Sequence, residues 1–309
     1  MADEVERLLR RAHAQIQHQD VFGAVESLRQ ALSLDVDNAS AHALLALCLR
    51  DQKRIEAAAH EADLALTLAP ASSLAQFAAG VVATSRRRFA DGERHYRAAL
   101  TFDPSDTASM RALADLYVLW NRRAEALQWL ERARDTDPDD DATWADLAEH
   151  YRNAREFERA EECARRALEI DPENAQALVV MGHLLLQAGQ TQAAREHALM
   201  VLQHNALHDG AIHLLCAVKA RQSVLLGVWW RFNTLLSGGS ITRRVVLLIG
   251  TYLAYRVGVL ATGDLGYSSA VLPLNLLWLG FCVYTWVGPA MFGRQIAKEL
   301  EPARLGANY

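Results

Sequence analysis

Lysine is scarce in this chain of 309 residues: only three of its 32 basic residues are lysine, the rest arginine. With the heavy use of alanine, that balance points to a GC-rich bacterial coding sequence. Cysteine is nearly as rare. Cys48, Cys163, Cys216 and Cys282 lie far apart with no CxxC pair, which excludes a thiolate zinc site and offers no disulfide framework. No secretory leader is expected either. The start, MADEVERLLRR, is charged from its third residue and does not read as a secretory signal peptide.

A basic face is also absent from most of the chain. The totals are 32 Lys/Arg and 37 Asp/Glu, and from residue 225 onward there are seven and three, a balance of +4. Subtraction leaves 25 and 34 in the first 224 residues, or −9. An acidic front excludes nucleic acid as an expected partner. A basic, apolar tail behind it suits contact with anionic lipid.

Catalytic and metal-binding signatures are missing as well. There is no P-loop, HExxH or GxGxxG. The run from Asp135 to Asp141 alternates carboxylates like a calcium loop, yet Asp140 and Asp146 stand where glycine and glutamate would be needed. It coincides with an expected turn, where helix capping accounts for it. His204, His208, His213 and Cys216 straddle another turn, so no metal is expected there. GYSSA around Ser268 fails the GxSxG pattern, and no histidine follows His213 to act as a base. Neither catalysis nor a cofactor is expected.

What is present is a period. Val36, Pro70, Pro104, Pro138, Pro172 and Ala206 follow one another at intervals of 34 residues, in the stretches DVDN, APAS, DPSD, DPDD, DPEN and HNAL, of which the first and last lack the proline. Small residues keep the same phase. One set is Ala12, Ala46, Gly80, Ala114, Ala148 and Gly182; a second is Ala24, Ala58, Gly92, Ala126, Ala160 and Ala194. A third runs through Ala31, Ala65, Ala99, Ala133 and Ala167, with Val201 in the sixth unit. Two helices meet closely only where side chains are small, and a proline cannot continue the second helix. The polar neighbour can cap the next one.

These residues resemble the tetratricopeptide repeat family over residues 5–208, most plainly in the fifth unit with Trp144, Leu147, Ala148, Tyr151, Ala160, Ala167 and Pro172. The resemblance implies an all-α fold, a right-handed superhelical solenoid of about six helix pairs, with blurred boundaries in the first and sixth units, which lack the proline. Residues 209–223 would be a capping helix, as an array end requires. It also implies that the first helix of each pair lines a concave groove for a protein or peptide partner. Carried onto this chain, the groove residues are Leu9, His13, Ile16, Ala43, Leu47, Arg50, Leu74, Phe77 and Val81, then Arg111, Asp115, Val118, Glu149, Arg152, Val179 and His183. One end is apolar and the other mixed in charge, which suits an amphipathic helix or an extended peptide. The family's clamp for carboxylate tails is not expected, because Leu9 and His13 stand where Lys and Asn would be needed. The alternative is that the apolar residues pack against an N-terminal helix or a second copy.

The tail carries two long apolar runs. Residues 245–262 hold one charge and 270–292 hold none, and at about 1.5 Å per residue both reach across a hydrocarbon core of about 30 Å. Transmembrane helices are therefore expected at 241–262 and 270–292, joined by an external loop at 263–269. Arg243 and Arg244 before the first and Arg294, Lys298 and Arg304 after the second put both termini, and the 293–309 tail, on the cytoplasmic side. Residues 224–240, with Trp229 and Trp230 beside Arg231, suit an amphipathic helix at the lipid interface; the other reading is a last helix of the repeat array.

Within the first span, Arg256 either snorkels outward, pairs with Asp264 or meets a partner's carboxylate. Gly250, Ala254 and Gly258 form a stripe for close helix approach, serving the hairpin itself or self-association. The expectation is an interaction scaffold of the bacterial inner membrane that recruits a partner's peptide or helix. The alternative is an accessory subunit of a membrane complex, assembled through the hairpin.

Overall fold

The computed structural model describes residues 2–18, 20–222, 241–264, 271–276, 278–280 and 282, and among these no strand occurs. The helices are α1 (Ala2–Gln17), α2 (Val21–Leu34), α3 (Ala39–Asp51), α4 (Ile55–Leu68), α5 (Ser73–Ser85), α6 (Phe89–Phe102) and α7 (Thr107–Leu119). They continue as α8 (Arg123–Thr136), α9 (Asp141–Ala154), α10 (Phe157–Ile170), α11 (Ala175–Gln187), α12 (Thr191–His204), α13 (Asp209–Gln222) and α14 (Ile241–Asp264). The first twelve form six pairs, and α13 follows them.

The sequence period becomes a period of caps. Asn38, Ser72, Asp106 and Asn174 each accept a hydrogen bond from the backbone N–H three residues on, at 2.8–3.3 Å. Asp140 holds the same place before α9 and accepts from the Ala142 N–H at 3.2 Å. Each such cap stabilises its helix by about 1 kcal/mol. The second helices α4, α6, α8, α10 and α12 start without a side-chain cap. Their orientation is set by the turn before them. Lys53, Arg87, Asn121, Arg155 and Gly189, again one repeat apart, all take positive φ between 59° and 84°. The next N–H then reaches the carbonyl five residues back, as from Arg88 to Ala83 at 2.8 Å and from Arg122 to Tyr117 at 2.8 Å. This is the left-handed closure that usually takes glycine, and here only Gly189 supplies it without steric cost.

The missing prolines blur nothing. α2 ends at Leu34 and α3 begins at Ala39, and α12 ends at His204 with α13 beginning at Asp209; the proline-bearing turns have the same spacing. In both cases the N–H after the helix still finds its carbonyl, Asp35 to Ala31 and Asn205 to Val201, each at 2.9 Å. Proline is therefore compatible with the turn and not required by it.

The chain divides into two compact units, Met1–Ala154 and Arg155–Tyr309. In the first, α1 packs on α2, α3 on α4, α5 on α6 and α7 on α8, while α3, α5, α7 and α9 lie in succession beside one another. The small residues in phase sit where helices meet: Ala12, Ala24, Ala31, Ala46, Ala58, Ala65, Ala99, Ala126 and Ala133 are completely buried. At Gly80 even a methyl would be too much, because a Cβ there would lie 2.5 Å from the Tyr96 ring. In the second unit α10, α11, α12 and α13 pack around Leu178, Val201, Leu202, Leu214, Leu215 and Val218. Gly182 admits Leu214, which would stand 2.3 Å from an added Cβ.

The expected transmembrane hairpin is not supported: among the described residues no helix is long and apolar enough to cross a membrane. The 224–240 stretch with Trp229, Trp230 and Arg231 lies outside the described residues, as do the 293–309 tail and much of 270–292. Arg243, Arg244 and Ala254 lie within α14, but their side chains are also outside the description. What is described is a helix contact. Tyr255 of α14 stacks on Trp278 at 4.6 Å between ring centroids and donates to Asn275 Oδ1 at 2.7 Å. Gly258 faces Leu274, 3.4 Å from where a Cβ would be, whereas among the described residues nothing lies within 4 Å of such an atom at Gly250. The stripe is thus split, with Gly258 at the contact and Gly250 exposed.

Candidate functional site

In the first unit, the first helices of successive pairs turn a row of side chains to one surface. On α1, Leu9 and Ile16 are half-buried against the core and His13 is exposed. On α3, Leu47 and Arg50 are half-buried, but Ala43 is completely buried. Ala43 is therefore no groove residue: its methyl ends inside the core cluster of α3, α4 and α5. Leu47 and Leu74 also spend part of their surface on that core. Phe77, Val81, Arg111, Glu149 and Arg152 are half-buried, and Asp115 and Val118 are exposed. Val179 and His183, both half-buried, belong to the second unit.

The structure gathers five of these residues around one pocket. Arg50, Phe77, Val81, Arg111 and Asp115 line a cavity of about 380 Å³, together with Thr84, Ser85, Tyr96, Ala108 and Ala112. Leu9, His13 and Ile16 take no part in it. Thr84 and Ala108 occupy repeat places equivalent to residues in the expected set, so the same rule applied in full would have included them. Tyr96 is different. It comes from the second helix α6 and enters because Gly80 leaves room for its ring; its hydroxyl lies 3.3 Å from Thr84 Oγ1. The available signal was a glycine in an alanine phase.

The charges around the pocket are mostly matched. Arg111 Nε donates to Asp146 Oδ2 at 2.6 Å, linking α7 to α9, and Asp140 lies 3.8 Å from its Nη1. Arg50 pairs with Asp51 at 3.3 Å and Arg152 with Glu149 at 3.3 Å. The Nε–H groups of Arg50 and Arg152 are buried and find no acceptor among the described residues. Asp115 has neither an ion pair nor a hydrogen bond among the described residues. Desolvation, then the Asp146 carboxylate, push its pKa up to about 7 against the opposing pull of Arg111, with Glu149 adding to the rise. The pocket can thus offer an apolar wall, the unfilled N–H donor of Arg50 and the Asp115 carboxylate, which has no ion pair among the described residues.

The other sequence features have local explanations. Asp140 accepts from Thr143 Oγ1 as well as from the Ala142 N–H, so the acidic run is a cap. His208 Nδ1 accepts from the Ala211 N–H at 3.2 Å and starts α13. Burial pushes the Cys48 and Cys216 thiols up to about 11, away from the reactive thiolate.

Tetratricopeptide repeat models match residues 9–73, 83–151, 142–174 and 163–196. No curated protein sequence gives a significant match. Among solved structures, the chain is similar to one in the crystal structure of the APC/C hetero-tetramer Cut9-Hcn1, with 14% identity and a TM-score of 0.56, over 71% of this chain and 43% of that one. It is also similar to PilW, described as a widely conserved type IV pilus biogenesis factor, at 20% identity and a TM-score of 0.51, over 68% of this chain and 98% of that one. At these identities the likeness concerns the fold alone.

Proposed function

Because the chain belongs to the tetratricopeptide repeat family, we propose that it is an interaction scaffold whose pocket between α3, α5 and α7 captures a partner's peptide or helix. The observation that carries this reading is the cavity itself. It joins an apolar wall at Phe77 and Val81 to the buried donor of Arg50 and the unpaired Asp115, the mixture that peptide grooves use for anchoring and register. No catalytic constellation accompanies it among the described residues.

The finer part of the proposal places the scaffold at the cytoplasmic face of a bacterial inner membrane. Its support is the outward face of the tail. Tyr252, Leu253, Val257 and Leu260 of α14, and Leu272, Leu276 and Leu279 after it, are each at least half exposed. A helix pair in water would turn polar residues outward; lipid tolerates this face. Tyr255 and Asn275 satisfy each other by a hydrogen bond across the helix contact, as polar groups of a membrane hairpin would. Held at the bilayer, the pocket would raise its client's effective concentration there.

A second reading, a fixed subunit of a membrane complex, is favoured by Gly250 and Gly280, which among the described residues have nothing within 4 Å of an added Cβ. Photo-cross-linking from Phe77 and, separately, from Gly250 in intact membranes distinguishes the two. A foreign peptide captured at Phe77 supports the scaffold. A stoichiometric membrane partner captured only at Gly250 supports the subunit. Recovery of the whole chain from the soluble fraction overturns the membrane placement.

A further inference from the structure

The inference rests on the pocket being a peptide groove and names what the groove reads. We propose that the pocket selects a partner segment bearing a lysine or arginine, seated with its alkyl stem along Phe77, Val81 and Tyr96 and its cation on the Asp115 carboxylate.

Charge bookkeeping carries the argument. Three cations reach this region, and each has a carboxylate of its own: Arg50 has Asp51, Arg111 has Asp146 and Arg152 has Glu149, at 2.6–3.3 Å. Asp140 adds a further negative charge 3.8 Å from Arg111. Asp115 is left over in the pocket wall, exposed and unpartnered among the described residues, with Asp146 and Glu149 of α9 close enough to oppose its ionisation. Arg50, Arg111 and Arg152 are outnumbered by Asp51, Asp115, Asp140, Asp146 and Glu149, so an acidic ligand would add to a surplus of negative charge. A basic one completes the balance.

The apolar wall fits the same occupant. A lysine or arginine carries its charge at the end of a long aliphatic stem that packs on apolar surface, and aromatic faces such as Phe77 and Tyr96 attract a nearby cation. Arg50 lines the same cavity with its Nε–H buried and without an acceptor, a donor suited to a backbone carbonyl of the bound segment.

Protonation should then gate binding, because a neutral Asp115 holds no cation. The groups facing this carboxyl are Arg111 on its own helix, Asp146 and Glu149 on α9, Tyr96 on α6 and Arg50 on α3, and α5 contributes no titratable side chain to the pocket. With the carboxyl's pKa raised to about 7, its ionised fraction, and with it the affinity, rises from pH 6 to pH 8.

The test pans a random twelve-residue phage library on the full-length protein at pH 8, in parallel with Asp115→Asn and with Phe77→Glu, which fills the pocket with charge. Enriched sequences are then made as acetylated, histidine-free peptides and titrated by fluorescence polarisation at pH 6 and pH 8. The expected result is a shared lysine or arginine whose replacement by glutamine weakens binding roughly tenfold. Asp115→Asn should abolish both the basic preference and the pH dependence while keeping residual binding. Peptides lost on Phe77→Glu that lack a basic residue, or that bind Asp115→Asn as well as wild type, overturn this inference and leave the groove reading standing. The absence of any peptide sensitive to Phe77→Glu overturns both.

Discussion

Helices α10 and α14 use their outward faces in opposite ways. On α10, Ala160, Cys163, Ala164 and Ala167 are buried and, apart from Phe157 at its start, the exposed positions are Glu158, Arg159, Glu161, Glu162, Arg165 and Glu169. On α14 the exposed positions include Tyr252, Leu253, Val257 and Leu260, with Arg256 the one charge among those described. Both are regular helices. The difference is the environment each face suits: α10 turns charge to water, whereas the proposed membrane placement would give the apolar face of α14 a matching medium.

The sharpest way to break this comparison is to put charge on the outward face of α14. If the proposed placement holds, Tyr252→Asp with Leu253→Asp should cost about 2.5–3.5 kcal/mol per residue for insertion near a bilayer centre and move the protein out of the membrane fraction. The α10 counterpart, Glu161→Lys with Arg165→Glu, should leave fractionation and Tm nearly unchanged. Loss of membrane association in both, or in neither, would remove the contrast.

A smaller effect separates core from surface within the repeats. Leu214→Ala empties a completely buried site packed against Gly182 and should cost 2–5 kcal/mol, roughly the range for core leucines. Exposed Leu207, by contrast, should tolerate alanine. Urea titration of both variants measures the difference.

The pocket carboxylate supplies a subtler, pH-dependent contrast. Asp115 has its folded pKa raised to about 7 above an unfolded value near 4. The folded state therefore holds more protons across that window, and the residue destabilises the protein progressively as pH rises from about 4 to 7. Asp115→Asn should raise Tm by an amount that grows over that interval and levels off above it; a constant gain would show that the carboxyl is not perturbed.

The smallest effect concerns the turns. Arg87 sits at φ 61°, where glycine pays no steric penalty, so Arg87→Gly should stabilise by about 0.5–1 kcal/mol. Gly189→Arg should destabilise by a similar amount, and thermal melts of the pair would show whether the five turns are equivalent.

Much of this architecture could be read in advance, and the failures are informative. The alanine phases located the helix contacts because close approach constrains residue size at each crossing, and the polar residues beside the prolines located the caps because capping is local. The turns at Val36 and Ala206 were expected to blur, yet they close like the others, since the backbone bonds that end a helix ignore the side chain two positions on. Ala43 was placed in the groove by its repeat position, but a methyl is too short to emerge from the core there. Tyr96 was missed because it reaches the pocket from a second helix through the gap left at Gly80. The tail was expected to span a membrane, but no described helix is long and apolar enough to do so.

From its sequence alone this protein was bound to be a run of short helix pairs, because periodicity, capping and the size of contact residues act over one or two helices. Only the tertiary structure decided what the groove offers. The unbalanced charge on Asp115 depends on which carboxylates of α9 face it and which arginines are already engaged, and those distances arise from the stacking of successive repeats.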